Sequence, residues 1–202
     1  MKIGAVVVAA GTGSRAGGER PKQYQTVGGR PVVWWALKSF CDHPLISHVQ
    51  PVIGPGQTEL FERAAADLTV EAPVIGGATR QESCRLGLQA LAKHNLTHVL
   101  IHDAARPFIS AELISRVIAG LEKHGGVVPG IALADTIKKA PDGTIERTVD
   151  RSGLWAVQTP QGFAFDAICA AHEKARQSGQ SSLTDDAAVA ELAGIEVAIV
   201  PG

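Results

Sequence analysis

The feature that most constrains the fold is an alternation of short apolar, β-branched runs with segments whose apolar residues recur at helical spacing. Such short runs are typical of buried strands, and the amphipathic segments between them are typical of helices. Because parallel neighbours in a sheet need crossover connections, this order predicts an α/β protein with a mostly parallel sheet flanked by helices. The predicted strands are 3–8, 49–53, 69–75, 98–101, 126–133 and 195–200, and the predicted helices are 31–41, 57–66, 80–93, 111–123 and 164–177.

One segment breaks the alternation. Residues 136–139 and 144–149 flank Pro141-Asp142-Gly143, a pattern that predicts a β-hairpin with a tight turn. A two-stranded ribbon is marginally stable alone, so we expect this arm, at about 135–150, to pack on something else. A partner subunit is one candidate.

The length and charge of the chain narrow its class. A chain of 202 residues suits a single domain. With 19 basic and 20 acidic residues the formal net charge is −1, so no overall positive field draws the protein to nucleic acid or to an anionic membrane. The apolar start of the chain is better explained as a buried strand than as an export signal, and no apolar run approaches the ~20 residues of a membrane span.

The cysteines indicate the compartment. Cys41, Cys84 and Cys169 lie far apart and include no C-x-x-C pair. An odd number of cysteines cannot all pair within one chain, so a reducing cytoplasm is predicted.

A glycine-rich loop follows the first predicted strand. Residues 9–15 read Ala-Ala-Gly-Thr-Gly-Ser-Arg, and Lys22 follows within Pro-Lys-Gln. Small residues let several backbone N–H groups converge on an anion, and Arg15 and Lys22 add full positive charge. Binding a finished cofactor would need only the amides, whereas stabilising charge on a phosphorus under attack needs both. The loop therefore predicts phosphoryl or nucleotidyl transfer.

Two other phosphate-binding motifs resemble this loop only in part. Residues 11–16 also fit the Gly-x-Gly-x-x-Ala pattern of dinucleotide-binding proteins, but that pattern needs an acidic residue at the end of the second strand. Here the second predicted strand runs into Gly54-Pro55-Gly56, so the required acidic residue is absent and a nicotinamide-dependent dehydrogenase is disfavoured. A Walker loop is excluded as well, because no Gly-Lys-Ser or Gly-Lys-Thr follows Gly13.

A second glycine loop, at 76–83, precedes a predicted helix. Thr79 and Glu82 fit a capping box, which would explain the segment as a helix start. The same loop could hold a base or ribose against its backbone, with Arg80 and Ser83 as donors. The two interpretations are compatible and both stay open.

Asp103 lies just beyond the carboxyl end of the strand predicted at 98–101. A carboxylate beside a phosphate loop suits Mg²⁺, which prefers hard oxygen ligands and substrate phosphates. The alternative is that Asp103 caps the next helix.

His98 and His102 could bind zinc on a helix, but on a strand they are better explained as core residues. Spacing alone assigns no role to three further polar groups: Arg106, Asp150-Arg151 and Thr184-Asp185-Asp186.

Taken together, these segments resemble the 2-C-methyl-D-erythritol 4-phosphate cytidylyltransferases. The most specific motifs are His-Asp-Ala-Ala-Arg-Pro at 102–107 and Val-Asp-Arg-Ser-Gly-Leu-Trp at 149–155, part of which the ribitol phosphate enzymes share. The other matching segments are 9–15, 21–24, 76–83, 135–138, 159–161 and 183–186.

The resemblance implies a Rossmann-like nucleotidyltransferase sheet with a protruding hairpin arm that embraces a second subunit in a homodimer. It implies that Arg15 and Lys22 stabilise the transition state and that Asp103 ligates Mg²⁺ or another divalent cation. It implies CTP binding by Ala9, Ala10, Gly11, Thr12, Gly13, Gly76, Gly77, Arg80, Ser83 and Ala104. It also implies that Arg151, Thr136, Arg106 and Thr184 position a polyol phosphate substrate, with the arm serving the neighbouring subunit's site.

The implied chemistry is direct in-line attack of the methylerythritol phosphate oxygen on CTP with release of pyrophosphate. The alternatives are a cytidylyltransferase for another polyol phosphate such as ribitol 5-phosphate, an enzyme that uses another base, or a nucleotide-binding protein without turnover. Members of the family continue beyond the last strand with another aspartate and lysine, so we expect the domain of residues 1–202 to continue past Gly202. Some relatives also carry a fused cyclodiphosphate synthase domain there.

Overall fold

A computed structural model describes residues 1–11, 21–181 and 183–202. The strands, in chain order, are β1 Ile3–Ala9, β2 Thr26–Val27, β3 Arg30–Pro31, β4 Ile46–Ile53, β5 Val74–Ile75, β6 His98–Asp103, β7 Gly126–Ala132, β8 Ile137–Lys139, β9 Arg147–Val149, β10 Trp155–Val157, β11 Gln161–Ala164 and β12 Val197–Pro201. The α-helices are α1 Val32–Cys41, α2 Thr58–Ala64, α3 Arg80–Leu91, α4 Ala111–Gly120, α5 Phe165–Gln177 and α6 Asp186–Leu192. Short 3₁₀ turns occupy Lys22–Tyr24 and Ala92–His94.

The main sheet confirms the predicted α/β architecture. Its strand order is β10-β7-β11-β6-β1-β4-β5, with β12 also paired to β7. Strand β1 pairs in parallel with β4 and β6, and β5 and β12 each run parallel to their neighbours. Among the described strands of this sheet, only β10 and β11 run antiparallel to the strands that they pair with. The carboxyl ends of β1, β4 and β6 therefore meet at one edge, where ligands bind in open α/β sheets.

Helices cover both faces of this sheet because successive side chains of a strand point to opposite sides. On β1, Ile3, Ala5 and Val7 pack into one core cluster with α1, α2 and α4. Val6 points into the other cluster, with α3, α5 and α6. Gly87 lets α3 approach closely, since an added Cβ would lie 2.6 Å from Val6 Cγ1.

The predicted arm is a separate two-stranded sheet. Strands β8 and β9 are antiparallel and pair Ile137 with Val149 and Lys139 with Arg147. Gly143 has φ 78°, a left-handed conformation that suits glycine in the turn. Nearly all side chains of the arm are exposed, so the ribbon gains little burial from the rest of the chain.

The structure differs from the sequence prediction in four elements of the main sheet and its flanking helices. The strand predicted at 69–75 shrinks to Val74–Ile75, because Pro73 has no N–H to donate and the Ala72 carbonyl accepts from Gln50 Nε2 at 2.8 Å instead. Strands β10 and β11 and helix α6 were not predicted, since each is short and lacks a full period of apolar residues. None of the helices in the described segments is long and apolar enough to cross a membrane.

Candidate active site

A cleft of about 600 Å³ opens at the carboxyl ends of β1 and β6. Three loops form it: the end of β1, the loop that leads into α3, and the turn after β6. Its lining residues are Val8, Ala9, Ala10, Gly11, Gln23, Pro55, Gly77, Ala78, Thr79, Arg80, Ser83, Asp103, Ala104 and Ala105. The cleft thus unites the predicted nucleotide-binding residues that fall within the described segments, apart from Gly76, which lies behind them.

The loop after β1 is held by the buried side chain of Gln23. Its Nε2 donates to the carbonyl of Ala9 at 2.6 Å and to that of Gly11 at 2.9 Å. These carbonyls are consequently satisfied by protein. The backbone of residues 9–11 has a fixed course into the segment 12–20, which lies outside the described residues and contains the predicted Thr12, Gly13 and Arg15.

The second glycine loop packs directly against the first. A Cβ on Gly76 would lie 2.6 Å from Ala10 Cβ and from Ser83 Oγ, so only glycine allows this approach. Ser83 Oγ donates to the Thr79 carbonyl at 2.9 Å and accepts from the Gly77 N–H at 3.2 Å. The Ser83 hydroxyl is therefore engaged in shaping the loop.

The predicted capping box is half confirmed. Thr79 is the N-cap of α3, and its Oγ1 accepts from the Glu82 N–H at 3.1 Å. The Glu82 carboxylate accepts from Arg85 Nη2 at 3.0 Å. Capping by Thr79 places Arg80 at the first helical position, with its side chain over the cleft.

Arg80 is the electrostatic centre of the cleft. Its Nε donates to Asp103 Oδ1 at 2.9 Å, and its Nη1 donates to Asp186 Oδ2 at 2.8 Å. Burial would lower the pKa of this guanidinium, but Asp186 and Asp103 outweigh that effect and raise it. Nη2 is also buried and has no hydrogen-bond partner in the described part of the chain.

The buried carboxylate of Asp186 holds Arg80 from the core side of the cleft. Its side chain is 1% exposed and also accepts from His172 Nε2 at 3.0 Å. Burial raises the pKa of Asp186, but the hydrogen bond from His172 and the charge of Arg80 prevail and lower it. The neighbouring thiol of Cys84 is fully buried, and burial raises its pKa well above the ordinary value. A charged carboxylate in the core thus fixes the direction of the Arg80 side chain.

Asp103 meets the requirements of a hard divalent cation. It ends β6 at the rim of the cleft, with its side chain 31% exposed. Oδ1 is bound to Arg80, whereas among the residues that the structure describes Oδ2 has only the exposed Arg106 Nε nearby, at 3.8 Å. An oxygen that faces the cleft without a close partner suits Mg²⁺, which usually takes one or two carboxylates together with substrate phosphates. The residues present therefore fit a nucleotide-bound cation.

The remaining predicted residues do not line the cleft. Lys22 is exposed at the start of the 3₁₀ turn that follows the segment 12–20. Arg106 is exposed beside Asp103, and Thr184 is exposed two residues before Asp186. Thr136 and Arg151 lie at the base of the arm, where Arg151 Nη1 donates to the Ala134 carbonyl. These side chains surround the cleft or belong to the arm.

His102 is a core residue, as predicted. It is fully buried; its Nε2 lies 2.9 Å from the Arg106 carbonyl and its Nδ1 2.9 Å from Thr159 Oγ1. Burial lowers its pKa to about 4, so the ring is neutral near pH 7 and supports the turn that carries Asp103.

Sequence reasoning missed the residues that hold the cleft from behind. Gln161 Oε1 accepts from the N–H groups of Asp186 and Ala187, while its Nε2 donates to Asp185 Oδ2 at 2.8 Å. Neither Gln161 nor His172 has a local pattern that indicates a site. The available signal was the pair of motifs Thr-Pro-Gln and Leu-Thr-Asp-Asp, whose contact only the fold creates.

Comparison with known proteins agrees with this geometry. The family model of 2-C-methyl-D-erythritol 4-phosphate cytidylyltransferase (IspD) matches residues 3–202. Curated relatives include the bifunctional enzyme IspD/IspF of Rhodospirillum rubrum, 51% identical over all of this chain and 52% of the relative. That of Nitrobacter winogradskyi is 48% identical over all of this chain and 51% of the relative. The chain thus spans about half the length of the curated relatives it matches.

Solved structures give the same result. The 4-diphosphocytidyl-2C-methyl-D-erythritol synthase of Anaerococcus prevotii superposes with a TM-score of 0.85 at 30% identity, covering all of this chain and 87% of the other. The 2-C-methyl-D-erythritol 4-phosphate cytidylyltransferase of Thermus thermophilus gives 0.79 at 34% identity, covering all of this chain and 89% of the other.

Proposed function

Because the chain belongs to the 2-C-methyl-D-erythritol 4-phosphate cytidylyltransferase family, we propose that it transfers the cytidylyl group of CTP to 2-C-methyl-D-erythritol 4-phosphate and releases pyrophosphate. The observation that carries the proposal is the union of the three predicted loops in one cleft, with the Arg80–Asp103 pair at its centre. We propose residues 1–202 as one nucleotidyltransferase domain. The free thiols of Cys41, Cys84 and Cys169 favour a reducing cytoplasm as its compartment.

The proposed reaction requires no covalent enzyme intermediate. The phosphate oxygen of the substrate is already an anion and attacks the α-phosphorus of CTP in line, so positioning and charge neutralisation supply the catalysis. The backbone of residues 9–11 and 76–78 borders the space for the nucleotide. Lys22 and Arg15 would balance the charge that develops as the bond to pyrophosphate breaks.

Asp103 would hold the divalent cation, and Arg80 would fix the direction of that carboxylate. When bound, a divalent cation neutralises phosphate charge and orients the triphosphate. Arg80 remains charged throughout because Asp186 and Asp103 raise its pKa. Arg80 lines the cleft and would contact the nucleotide there, while Asp186, itself bound by His172, keeps the guanidinium in place.

We further propose a homodimer in which the arm of one subunit completes the site of the other, with Arg151 and Thr136 reaching the substrate phosphate and Arg106 and Thr184 approaching it from the cleft side. The exposed ribbon supports this arrangement, because two strands alone gain too little burial to be rigid. Large apolar side chains exposed near the base of the arm also suit a protein contact: Ile131, Leu154, Trp155, Val157 and Ile199.

Pyrophosphate release with CTP, Mg²⁺ and methylerythritol phosphate tests the function. Lys22→Ala and Arg15→Ala should each lower kcat by about 10²–10³-fold, by analogy with loss of one oxyanion donor, while CTP binding changes far less. Lys38→Ala is the matched control, since Lys38 is an exposed lysine paired with Asp42 on α1. Unchanged turnover in Lys22→Ala would contradict the assignment.

The same assay separates the alternatives. A panel of CTP, UTP, ATP and GTP against methylerythritol phosphate and ribitol 5-phosphate identifies the base and the polyol. Binding of CTP without Mg²⁺-dependent pyrophosphate release would favour a nucleotide-binding protein that has lost turnover.

A further inference from the structure

A second cluster of ligand-type side chains lies at the opposite end of the sheet from the cleft. It consists of His48, Glu71 and His94, and one ligand atom from each lies within 4.8 Å of the others. His48 is near the start of β4, whereas the cleft lies beyond its carboxyl end at Ile53, about 17 Å away along the strand. The nucleotide site therefore does not account for this cluster.

The three side chains come from separate, well-anchored parts of the fold. His48 stands opposite Gly4 in the pairing of β4 with β1. Glu71 is tied to β4 by the hydrogen bond from its N–H to the Val49 carbonyl at 2.9 Å. His94 ends the 3₁₀ turn after α3, and its carbonyl accepts from Lys2 Nζ at 2.6 Å. Their convergence is a product of the tertiary structure.

The hydrogen bonds within the cluster leave one ring nitrogen unsatisfied. Glu71 Oε1 lies 2.8 Å from His48 Nδ1, which forms a hydrogen bond, and 3.2 Å from His94 Nε2. The second contact is at ion-pair distance but lacks good hydrogen-bond geometry, so in the described part of the chain the buried His94 Nε2 has no well-formed hydrogen bond. A buried polar atom of this kind needs an explanation, and coordination to an ion would provide one.

We propose that His48, Glu71 and His94 form a binding site for a divalent transition-metal ion such as Zn²⁺. Two imidazoles and one carboxylate are the ligand set that such ions favour, and three protein ligands leave a fourth position for water. The rings stack with centroids 3.8 Å apart and planes 25° apart. Binding requires them to turn about their terminal torsions, which are broad and soft.

The surroundings of the cluster allow an ion to enter. His48 and Glu71 line an open cleft of about 520 Å³ between β4 and the segment 67–72. Lys93 Nζ, mostly exposed, lies 3.5 Å from Glu71 Oε2 and can swing into solvent when an ion takes its place. The bound ion would fasten the 3₁₀ turn and the 67–72 segment to strand β4, so its role would be structural.

Titration of the untagged full chain with Co²⁺, without nucleotide, tests the site. We expect one ion per chain, with visible absorption bands of coordinated Co²⁺ that disappear when Zn²⁺ displaces it. His48→Asn, Glu71→Gln and His94→Asn should each weaken Co²⁺ binding by at least about 100-fold. Loss of a residue that only supports a metal ligand weakens binding by about 10–100-fold, and loss of a ligand itself should cost at least as much. Circular dichroism verifies that each variant is folded, and His94→Asn, on a short surface turn, carries the test if His48→Asn unfolds.

Two control variants separate this cluster from other binding. His124→Asn removes a histidine that also pairs with a glutamate, Glu196 at 3.0 Å, but that has no second histidine. Asp103→Asn removes the proposed cation ligand of the nucleotide cleft. Both variants should bind Co²⁺ as the wild type does. Absence of saturable binding, binding that survives in the three cluster variants, or binding lost in Asp103→Asn would overturn the proposal.

Discussion

The Arg80 network and the hairpin arm differ in how far one chain fixes their structure. Arg80 has carboxylate partners at 2.8 and 2.9 Å, one of them in the core. The side chains of the arm contact mainly each other, as in the exposed pair Lys139–Glu146 at 2.8 Å. The Arg80 network is thus preorganised within one chain, whereas the arm is not, and in the proposed dimer a partner subunit would hold it. Substitutions should accordingly affect stability in the first region and activity in the second.

The largest effect is expected for Asp186→Asn. The change removes a buried charge from between Arg80 and His172, and breaking a buried pair in this way costs about 3–5 kcal/mol of unfolding free energy. Urea denaturation measures it. Glu196→Gln is the matched control, because the His124–Glu196 and His172–Asp186 pairs have the same 3.0 Å separation while Glu196 is 81% exposed. That control should change stability by no more than about 1 kcal/mol. Equal losses in the two variants would remove the contrast between buried and exposed pairs.

The second-largest effect is expected for the pH dependence of the unfolding free energy, to which His102 contributes. Its folded-state pKa of about 4 lies below the ordinary value of 6.5, so between these pH values the unfolded chain binds the proton first. Stability is therefore full above pH 6.5 and falls as the pH drops to about 4, by up to about 3 kcal/mol. His102→Gln can keep one hydrogen bond and does not titrate, so its unfolding free energy should fall less over this range. Parallel curves for variant and wild type would contradict the neutral buried ring.

Arg151→Ala tests the arm. We expect kcat/KM to fall about 10–100-fold, equivalent to about 1.4–2.7 kcal/mol of transition-state binding, with the unfolding free energy nearly unchanged because Arg151 is exposed. Arg147→Ala, an exposed arginine on β9, is the control and should stay within about twofold of wild type.

Mixing Arg151→Ala with Lys22→Ala protein shows whether the arm acts across subunits. Each mixed dimer would contain one intact site, so random exchange should restore about a quarter of wild-type activity. Recovery would place Arg151 in the partner's site. If the mixture stays as inactive as its components, the arm acts within its own subunit and the comparison above is wrong.

The smallest effect is expected for Lys139→Ala. Its ion pair with Glu146 joins side chains that are about half exposed, and such pairs contribute about 0.2–1 kcal/mol at most. Thermal unfolding should barely move. A larger loss would mean that the arm is more strongly ordered within one chain than its contacts indicate.

Local pattern predicted the elements that repeat a period over several turns or pleats. Helices α1, α3 and α5 and strands β1 and β6 were placed to within a few residues, because their burial follows the helical or strand period. The strand at 69–75 was overestimated, since the pattern of apolar residues did not register the missing N–H of Pro73. Helix α6 was missed because its apolar face covers only two turns.

Sequence by itself determined the glycine loop before α3, the Thr79 cap, the hairpin and, through its motifs, the family, because each of these patterns depends on neighbours within a few residues. Only the tertiary structure decided that Asp186 and His172 hold Arg80, that Gln23 holds the loop after β1, and that His48, Glu71 and His94 converge. These contacts join residues 12–106 positions apart. Their energies come from burial and charge, which no local pattern encodes until the sheet and helices have closed around them.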